Sequence, residues 1–508
     1  MRQGRPYRGS RTHSPGGLRT AAAAIRRAIL LAALAASAIA PGCGSPGTTS
    51  GGPNVVIIVM DTARQDRLSC YGYERDTSPR LRELARESTV FSNAYSTSSW
   101  TAPGHASLFT GLYSIDHRTT QEDWSMSEDL VTIAEVLAEH GYETVGISEN
   151  PMLTSARGYA QGFGTYHEAW RPGKMAGSGN QALDRFVESL DALGGEGTPF
   201  FIFVNLIAPH SPYNTAKQFH FTQRRRAPDR EPASAYGEFV SDPTVATESN
   251  MWRQYYLGEV QLSATELEHL NELYDEELRF ADFLVGRMND ELNARGLAES
   301  TLFIVTSDHG ENIGDHGHVD HVFTLYESTT KIPLVVRQPG RFEPGEDARH
   351  VQLVDIFPTV LAAAGIGESD YPSDGLDLAD DAWQESRTTF CEYYYPEQVL
   401  QCYRDGRVRQ APALRPYLRR IRSVTNGGMK LVWGSDGRHE LYNLAGDPRE
   451  TTNLIGRDDY APALASLLLE LDAIVGGRGE PTRRGGVSYA DTLDEATRDA
   501  MRSLGYLE

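Results

Sequence analysis

Residues 54–60 (NVVIIVM) form a continuous apolar, β-branched run that stops at Asp61. Such a run offers no polar face to water, which is the pattern of a strand covered on both sides of a sheet. The pattern recurs at 144–147, at 200–207 (FFIFVNLI) and at 301–306 (TLFIVT), with a shorter version at 333–336. Helix signals separate these runs. Ser78-Pro79 reads as an N-cap and first helical residue, Ser127 as the cap of a helix ended by Gly141, and 274–295 as a long amphipathic helix. Strands alternating with helices predict an α/β fold with a mostly parallel central sheet flanked by helices. After about residue 366 the chain becomes rich in Tyr, Arg and Asp, with short strand patterns at 429–433 and 439–444. That change predicts a smaller C-terminal antiparallel-sheet subdomain.

Polar residues stand just past three of the buried runs: Asp61, His210, and Asp308 with His309. In open α/β sheets ligands bind outside the carboxyl ends of the strands, so the fold can gather these distant residues into one site. Two carboxylates and an imidazole suit Mg, Mn, Ca or Zn. Thr101 precedes Pro103, which looks like a helix-start residue. A helix N-terminus there attracts an anion, and a metal beside the Thr101 hydroxyl would make it a nucleophile. The same residue also reads as a simple N-cap. Arg64 reads either as a contact to an anion or as a surface charge. The run Arg224-Arg225-Arg226, in a polar stretch at 211–256, reads as a solvated face.

The N-terminus needs a separate account. All seven basic residues before Gly42 are Arg, and no acid lies among them. Behind Arg26 and Arg27, residues 28–40 form a 13-residue apolar run. A membrane span needs about 20 residues, so this run fits the h-region of an export signal. Ala40-Pro41-Gly42-Cys43 follows, and Cys43 is either the lipidation site of a lipoprotein or part of a segment near ordinary cleavage. The expected organisation is an export signal at 1–42, a flexible Gly/Ser/Thr tether at 43–52, a catalytic domain at 53–365 and a C-terminal subdomain and tail at 366–508. The protein is expected to be periplasmic or on the cell surface, with membrane contact only through a lipid on Cys43. Cys391 and Cys402 either pair across a short loop or stay unpaired. The whole chain carries −21; without those seven Arg, 41 basic residues stand against 69 acidic ones and the remainder carries −28. A body this acidic argues against nucleic-acid binding. It also repels an anionic substrate at long range, so capture must rest on local positive features.

PNVVIIVMDTARQDRLSCYGY, TAPGHASLFTG, APHSPY, SDHGENIGDHGHVDHVFTLYE, VQLVDIFPTVLAAAGI, ELYNLAGDPRETTNL and RSLGYLE occur in this order. In these stretches the chain resembles the sulfatase family of the alkaline phosphatase superfamily, from Pro53 to the C-terminus. The resemblance implies that Asp61, Asp308 and His309 hold one divalent metal, with Thr101 at the nucleophile position and bound to it. It implies His210 at the leaving group and a later Lys/His position on His318 or His321, with His321 favoured. The departures carry information. Sulfatases resemble Cys/Ser-x-Pro-x-Arg here, where the Cys or Ser becomes formylglycine; this chain has Thr101-Ala102-Pro103-Gly104-His105, so no formylglycine is expected. His105 replaces an arginine on the substrate side, and Thr62 stands where many relatives have a second Asp. A threonine ester must be displaced at the central atom, a route natural at phosphorus. The expected function is hydrolysis of a sulfate, phosphate or phosphonate ester of a glycan, lipid or small molecule. The alternatives are a phosphoryl head-group transferase and a catalytically dead lipoprotein that binds a glycan or protein.

Overall fold

A computed structural model describes residues 51–508 except 172–179, 194–196, 214–216, 222–251, 253, 368–369, 381–386, 395–411, 479–493 and 504–508. Cys43, Cys402, Arg224 to Arg226 and the terminal GYLE therefore lie outside the described residues. Cys391 is buried in a strand, and burial pushes its thiol up.

Fourteen strands are described. They are β1 (Asn54–Met60), β2 (Thr89–Tyr95), β3 (Glu143–Ser148), β4 (Thr165–Glu168), β5 (Phe200–Leu206), β6 (Thr301–Thr306), β7 (Asn312–Ile313), β8 (Val319–Asp320), β9 (Leu334–Arg337), β10 (Gly345–Gln352), β11 (Thr389–Tyr393), β12 (Ile421–Asn426), β13 (Met429–Gly434) and β14 (Glu440–Asn443). Eight of them build the main sheet in the order β10-β2-β9-β6-β1-β5-β3-β4. All its pairings are parallel except those of β9, which runs antiparallel to β2 and β6. The apolar runs at β1, β5 and β6 occupy neighbouring central positions, and every residue of β5 and β6 is buried. That placement satisfies the backbone through the ladder and leaves no face for water, as the continuous runs predict.

Helices cover the sheet. The long helix Ala264–Ala294 starts ten residues before the expected 274, because Ser263 and Glu266 close a capping box there. The helix expected from Ser127 begins instead at Thr132, whose side chain accepts from the Glu135 N–H while Glu135 returns the bond. Both serine and threonine fit the cap position, and only the reciprocal Glu three residues on selects Thr132. Among the described residues no helix is long and apolar enough to cross a membrane.

The small sheet is antiparallel, in the order β11-β12-β13-β14, and begins after position 366, as expected. Phe390, Val424, Leu431 and Leu441 from its strands pack with Leu467 and Leu471 of the helix Ala461–Val475. An ion triad centred on a buried lysine ties it to the site-bearing half. Lys430 of β13 is 1% exposed, with Nζ 2.9 Å from Glu327 Oε1 and 2.8 Å from Glu450 Oε1. Burial pushes the Glu450 carboxyl up to about 7 even with Lys430 beside it. Lys430→Met leaves two facing carboxylates without their cation, and breaking a buried pair in this way costs about 3–5 kcal/mol. The expected outcome is a lower urea midpoint for Lys430→Met, partly restored in Lys430→Met/Glu450→Gln; an unchanged midpoint would contradict this role.

Candidate active site and metal centre

The register of the three central strands assembles the site. Val59 of β1 pairs with Asn205 of β5 on one side and with Thr306 of β6 on the other. Their carboxyl ends are therefore level, and the residues that follow are Asp61 and, after β6, Ser307, Asp308 and His309. On the next strand Ser148 of β3 is level with Asn205, which brings Asn150 to the same edge.

Asp61, Asp308 and His309 converge: one ligand atom from each lies within 4.8 Å of the others, and all three side chains are buried. One oxygen of each carboxylate is taken. Asp61 Oδ2 accepts from Asn150 Nδ2 at 2.8 Å and from Asn205 Nδ2 at 3.2 Å. Asp308 Oδ1 accepts from the backbone N–H of Thr62 and of His309. The other oxygens, Asp61 Oδ1 and Asp308 Oδ2, are buried without a hydrogen-bond partner. His309 Nδ1–H donates to the Gly310 carbonyl at 2.9 Å, which leaves Nε2 as the lone-pair nitrogen, 3.3 Å from Asp308 Oδ2. Burial, with the Asp308 charge adding to it, pushes the Asp61 carboxyl up, and burial followed by His321 pushes His309 well down. Two orphaned carboxylate oxygens and a neutral imidazole fit a divalent cation.

Thr101 opens the helix Thr101–Thr110 as its first residue. Trp100 holds the N-cap position, so the helix starts two residues before Pro103 and Thr101 is not itself the cap. Its Oγ1 lies 3.3 Å from His309 Nε2. The partial positive end of the helix thus lies beside His309. The helix can come this close because position 104 is glycine: a Cβ there would stand 3.1 Å from the Asp308 carbonyl oxygen.

The remaining expected residues divide. His321 joins the site, its ring centroid 4.5 Å from that of His309, 5.2 Å from His210 and 5.1 Å from Trp100. His210 is buried with Nδ1 2.6 Å from the Ser211 carbonyl. His105 is fully buried in the floor, with Nδ1 2.9 Å from the Thr101 carbonyl and Nε2 3.3 Å from Asn205 Nδ2. His318 packs among Tyr256, Tyr326 and Tyr417, and burial pushes it down to about 4. Arg64 is 5% exposed rather than a surface charge, and its guanidinium is engaged by Asp66 and Asp315 and donates to the Glu311 carbonyl. Thr62 sits at φ +63° with its hydroxyl buried and unpartnered. Its carbonyl accepts from Tyr274 Oη, which in turn accepts from the Arg64 N–H.

Sequence reasoning missed Asn150, Asn205, Glu311 and Asp320. Asn205 left a trace, as the one amide inside the otherwise apolar run at 200–207. Asn150, Glu311 and Asp320 left none, since polar residues after strands and in loops are common.

These features define a class: an α/β protein with a buried carboxylate–imidazole centre beside a helix-borne hydroxyl at the carboxyl edge of a mixed sheet. The sulfatase family model matches residues 53–366, and the chain belongs to the sulfatase family and is an ester hydrolase. It is 23% identical to an N-acetylglucosamine-6-O-sulfatase of Bacteroides thetaiotaomicron, over 83% of this chain and 86% of that one. It is 26% identical to the multifunctional alkaline phosphatase superfamily protein PehA of Trinickia caryophylli, over 80% of this chain and 92% of that one. Its fold matches the crystal structure of a phosphonate monoester hydrolase of Agrobacterium radiobacter with a TM-score of 0.63 at 22% identity, over 83% and 96% of the two chains.

Asn205→Ala removes one of the two amides that orient Asp61. Loss of such an outer partner typically weakens metal binding about 10–100-fold. Calorimetric titration of the metal-stripped protein with Mn2+ should show that loss, and unchanged affinity would count against this role of Asn205.

Proposed function

We propose that the protein is an exported hydrolase that cleaves a sulfate, phosphate or phosphonate ester with Thr101 as its nucleophile. The observation that carries this reading is the approach of Thr101 Oγ1 to His309 Nε2, in a cluster where Asp61 and Asp308 each keep one orphaned carboxylate oxygen. Asp61, Asp308 and His309 would hold one divalent cation with Thr101 at its edge. When bound, that cation lowers the pKa of a neighbouring hydroxyl and offsets negative charge on the transferred group.

The chain's own residues do the rest. Thr101 Oγ1 gives up its proton to solvent, attacks the sulfur or phosphorus in line and forms the O–S or O–P bond while the bond to the ester oxygen breaks on the opposite side. His210 stands within ring contact of His321 and gives the departing oxygen its proton. His321 faces the transferred group beside His309 and opposes the charge that gathers on its oxygens. Water then attacks the same sulfur or phosphorus and releases Thr101, because a threonine ester has no hemiacetal to collapse. His105 supports this from below by holding the Thr101 carbonyl, out of reach of the substrate. Arg64, committed to Asp66 and Asp315, serves the loop rather than the anion.

The substrate class follows from both kinds of relative. The N-acetylglucosamine-6-O-sulfatase points to a sulfated sugar and the phosphonate monoester hydrolase to a phosphorus ester. The threonine favours phosphorus. Export rests on the Arg-led apolar segment, and a lipid on Cys43 would keep the enzyme at the membrane surface of the periplasm or cell.

The test is a panel of aryl sulfates, phosphodiesters and phosphonate monoesters assayed with wild type and Thr101→Ala. The variant should lose about 10³-fold or more in kcat, as removing a nucleophile does. Intact mass after incubation with a slow substrate should show a group added on Thr101. Full activity in Thr101→Ala would end the proposal.

A further inference from the structure

The segment that leads into Thr101 buries a run of hydroxyls. Ser96, Thr97, Ser98 and Ser99 are each no more than 1% exposed. A hydroxyl taken out of water costs free energy unless it finds a hydrogen-bond partner, so the partners show what such a run holds together. The three serines reach three different parts of the molecule. Ser96 Oγ lies against the Asp308 carbonyl. Ser99 Oγ donates to the Thr324 carbonyl at 2.9 Å, in the loop that follows His321. Ser98 Oγ donates to the Glu392 carbonyl at 2.9 Å, on β11 of the small sheet. The Glu392 N–H donates in turn to the Thr97 carbonyl at 2.9 Å.

One further side chain closes this junction. Gln121 is 1% exposed. Its Nε2 donates to Ser98 Oγ at 3.1 Å, and its Oε1 accepts from the Tyr394 N–H at 2.7 Å. Tyr394 comes directly after β11, so the amide spans the segment before Thr101 and the end of that strand. The Gln121 carbonyl accepts from Trp124 Nε1 at 2.9 Å. The Trp124 ring stands 6.4 Å from that of Trp100, the residue before Thr101. Gln121 therefore meets this segment twice, by a hydrogen bond at Ser98 and by ring packing at Trp100.

The helix start shows why the junction matters. An N-cap side chain normally fixes where a helix begins. Trp100 holds that position in the helix Thr101–Thr110 and makes no side-chain cap bond. The place of Thr101 is then set by whatever holds the residues ahead of it.

We propose that Gln121 is a positioning residue for Thr101: its amide locks Ser98 to the end of β11 and so fixes where the helix bearing the Thr101 hydroxyl begins. The inference rests on the proposed role of Thr101 as nucleophile. It gives the C-terminal subdomain a part in turnover, because β11 forms one side of the clamp. Misplacing a reacting group by about 1 Å costs on the order of 10²-fold in rate, so the clamp acts on the chemical step rather than on binding.

The full-length protein is loaded with Mn2+ and assayed on whichever aryl sulfate, phosphodiester or phosphonate monoester it cleaves fastest. Gln121→Met keeps the side-chain length and removes both amide bonds, while Ser98→Ala removes one hydroxyl. Each should lower kcat about 10–100-fold, with KM and Mn2+ affinity near those of wild type. The double variant Ser98→Ala/Gln121→Met should fall no further than the slower single one, because both break the same link. Urea midpoints establish that the variants are folded; if Gln121→Met does not fold, Ser98→Ala decides alone. Wild-type kcat in the folded variants overturns the clamp, as do losses that multiply in the double variant or that appear in KM alone. An inactive Thr101→Ala beside unchanged kcat in both clamp variants overturns the clamp and leaves the nucleophile standing. A fully active Thr101→Ala beside slowed clamp variants ends the nucleophile reading instead.

Discussion

Asp61 and Asp308 give up all contact with water at the level carboxyl ends of β1 and β6, and burial together with the Asp308 charge raises the cost of ionising Asp61. Much of the surrounding structure answers that cost. Asn150 and Asn205 donate to one carboxylate, while the Thr62 and His309 backbone amides donate to the other. The helix Thr101–Thr110 starts beside His309, and Gly104 lets it approach Asp308. What stays unanswered is one oxygen on each carboxylate, and that remainder fits a divalent cation.

The acidic body and the anionic substrate class pull against each other, and the fold resolves the conflict locally. In the sequence Arg64 reads either as a contact to an anion or as a surface charge. Buried between Asp66 and Asp315, it braces the loop that carries Glu311 instead. Positive charge at the candidate centre therefore falls to the helix end, the histidines and whatever cation the Asp61–Asp308–His309 group holds. His210, His309 and His321 form a continuous ring contact there, while His318 turns away into a tyrosine cluster.

Legibility followed physical cause. Central strands announce themselves because a strand covered on both faces must be apolar throughout; β1, β5 and β6 were read directly. β2, β4, β10, β11 and β12 were not, because their partly polar or mixed patterns do not separate a strand from a loop. The antiparallel placement of β9 was equally hidden, since a four-residue apolar run carries no direction. Helix starts slipped where two cap residues competed, as at Ser127 and Thr132.

The sequence by itself determined the central strands of the sheet, the family and the residues most able to hold a metal, because burial and hard-ligand chemistry constrain residue type at those positions. Only the tertiary structure decided which of them meet. Register made Asp61, Asn205 and Asp308 level, the start of a helix placed the Thr101 hydroxyl beside His309, and a short ribbon brought His321 rather than His318 to the centre. Spacing along a chain does not fix distance across a sheet, and partners such as Asn150 and Asp320 gain meaning only from that distance.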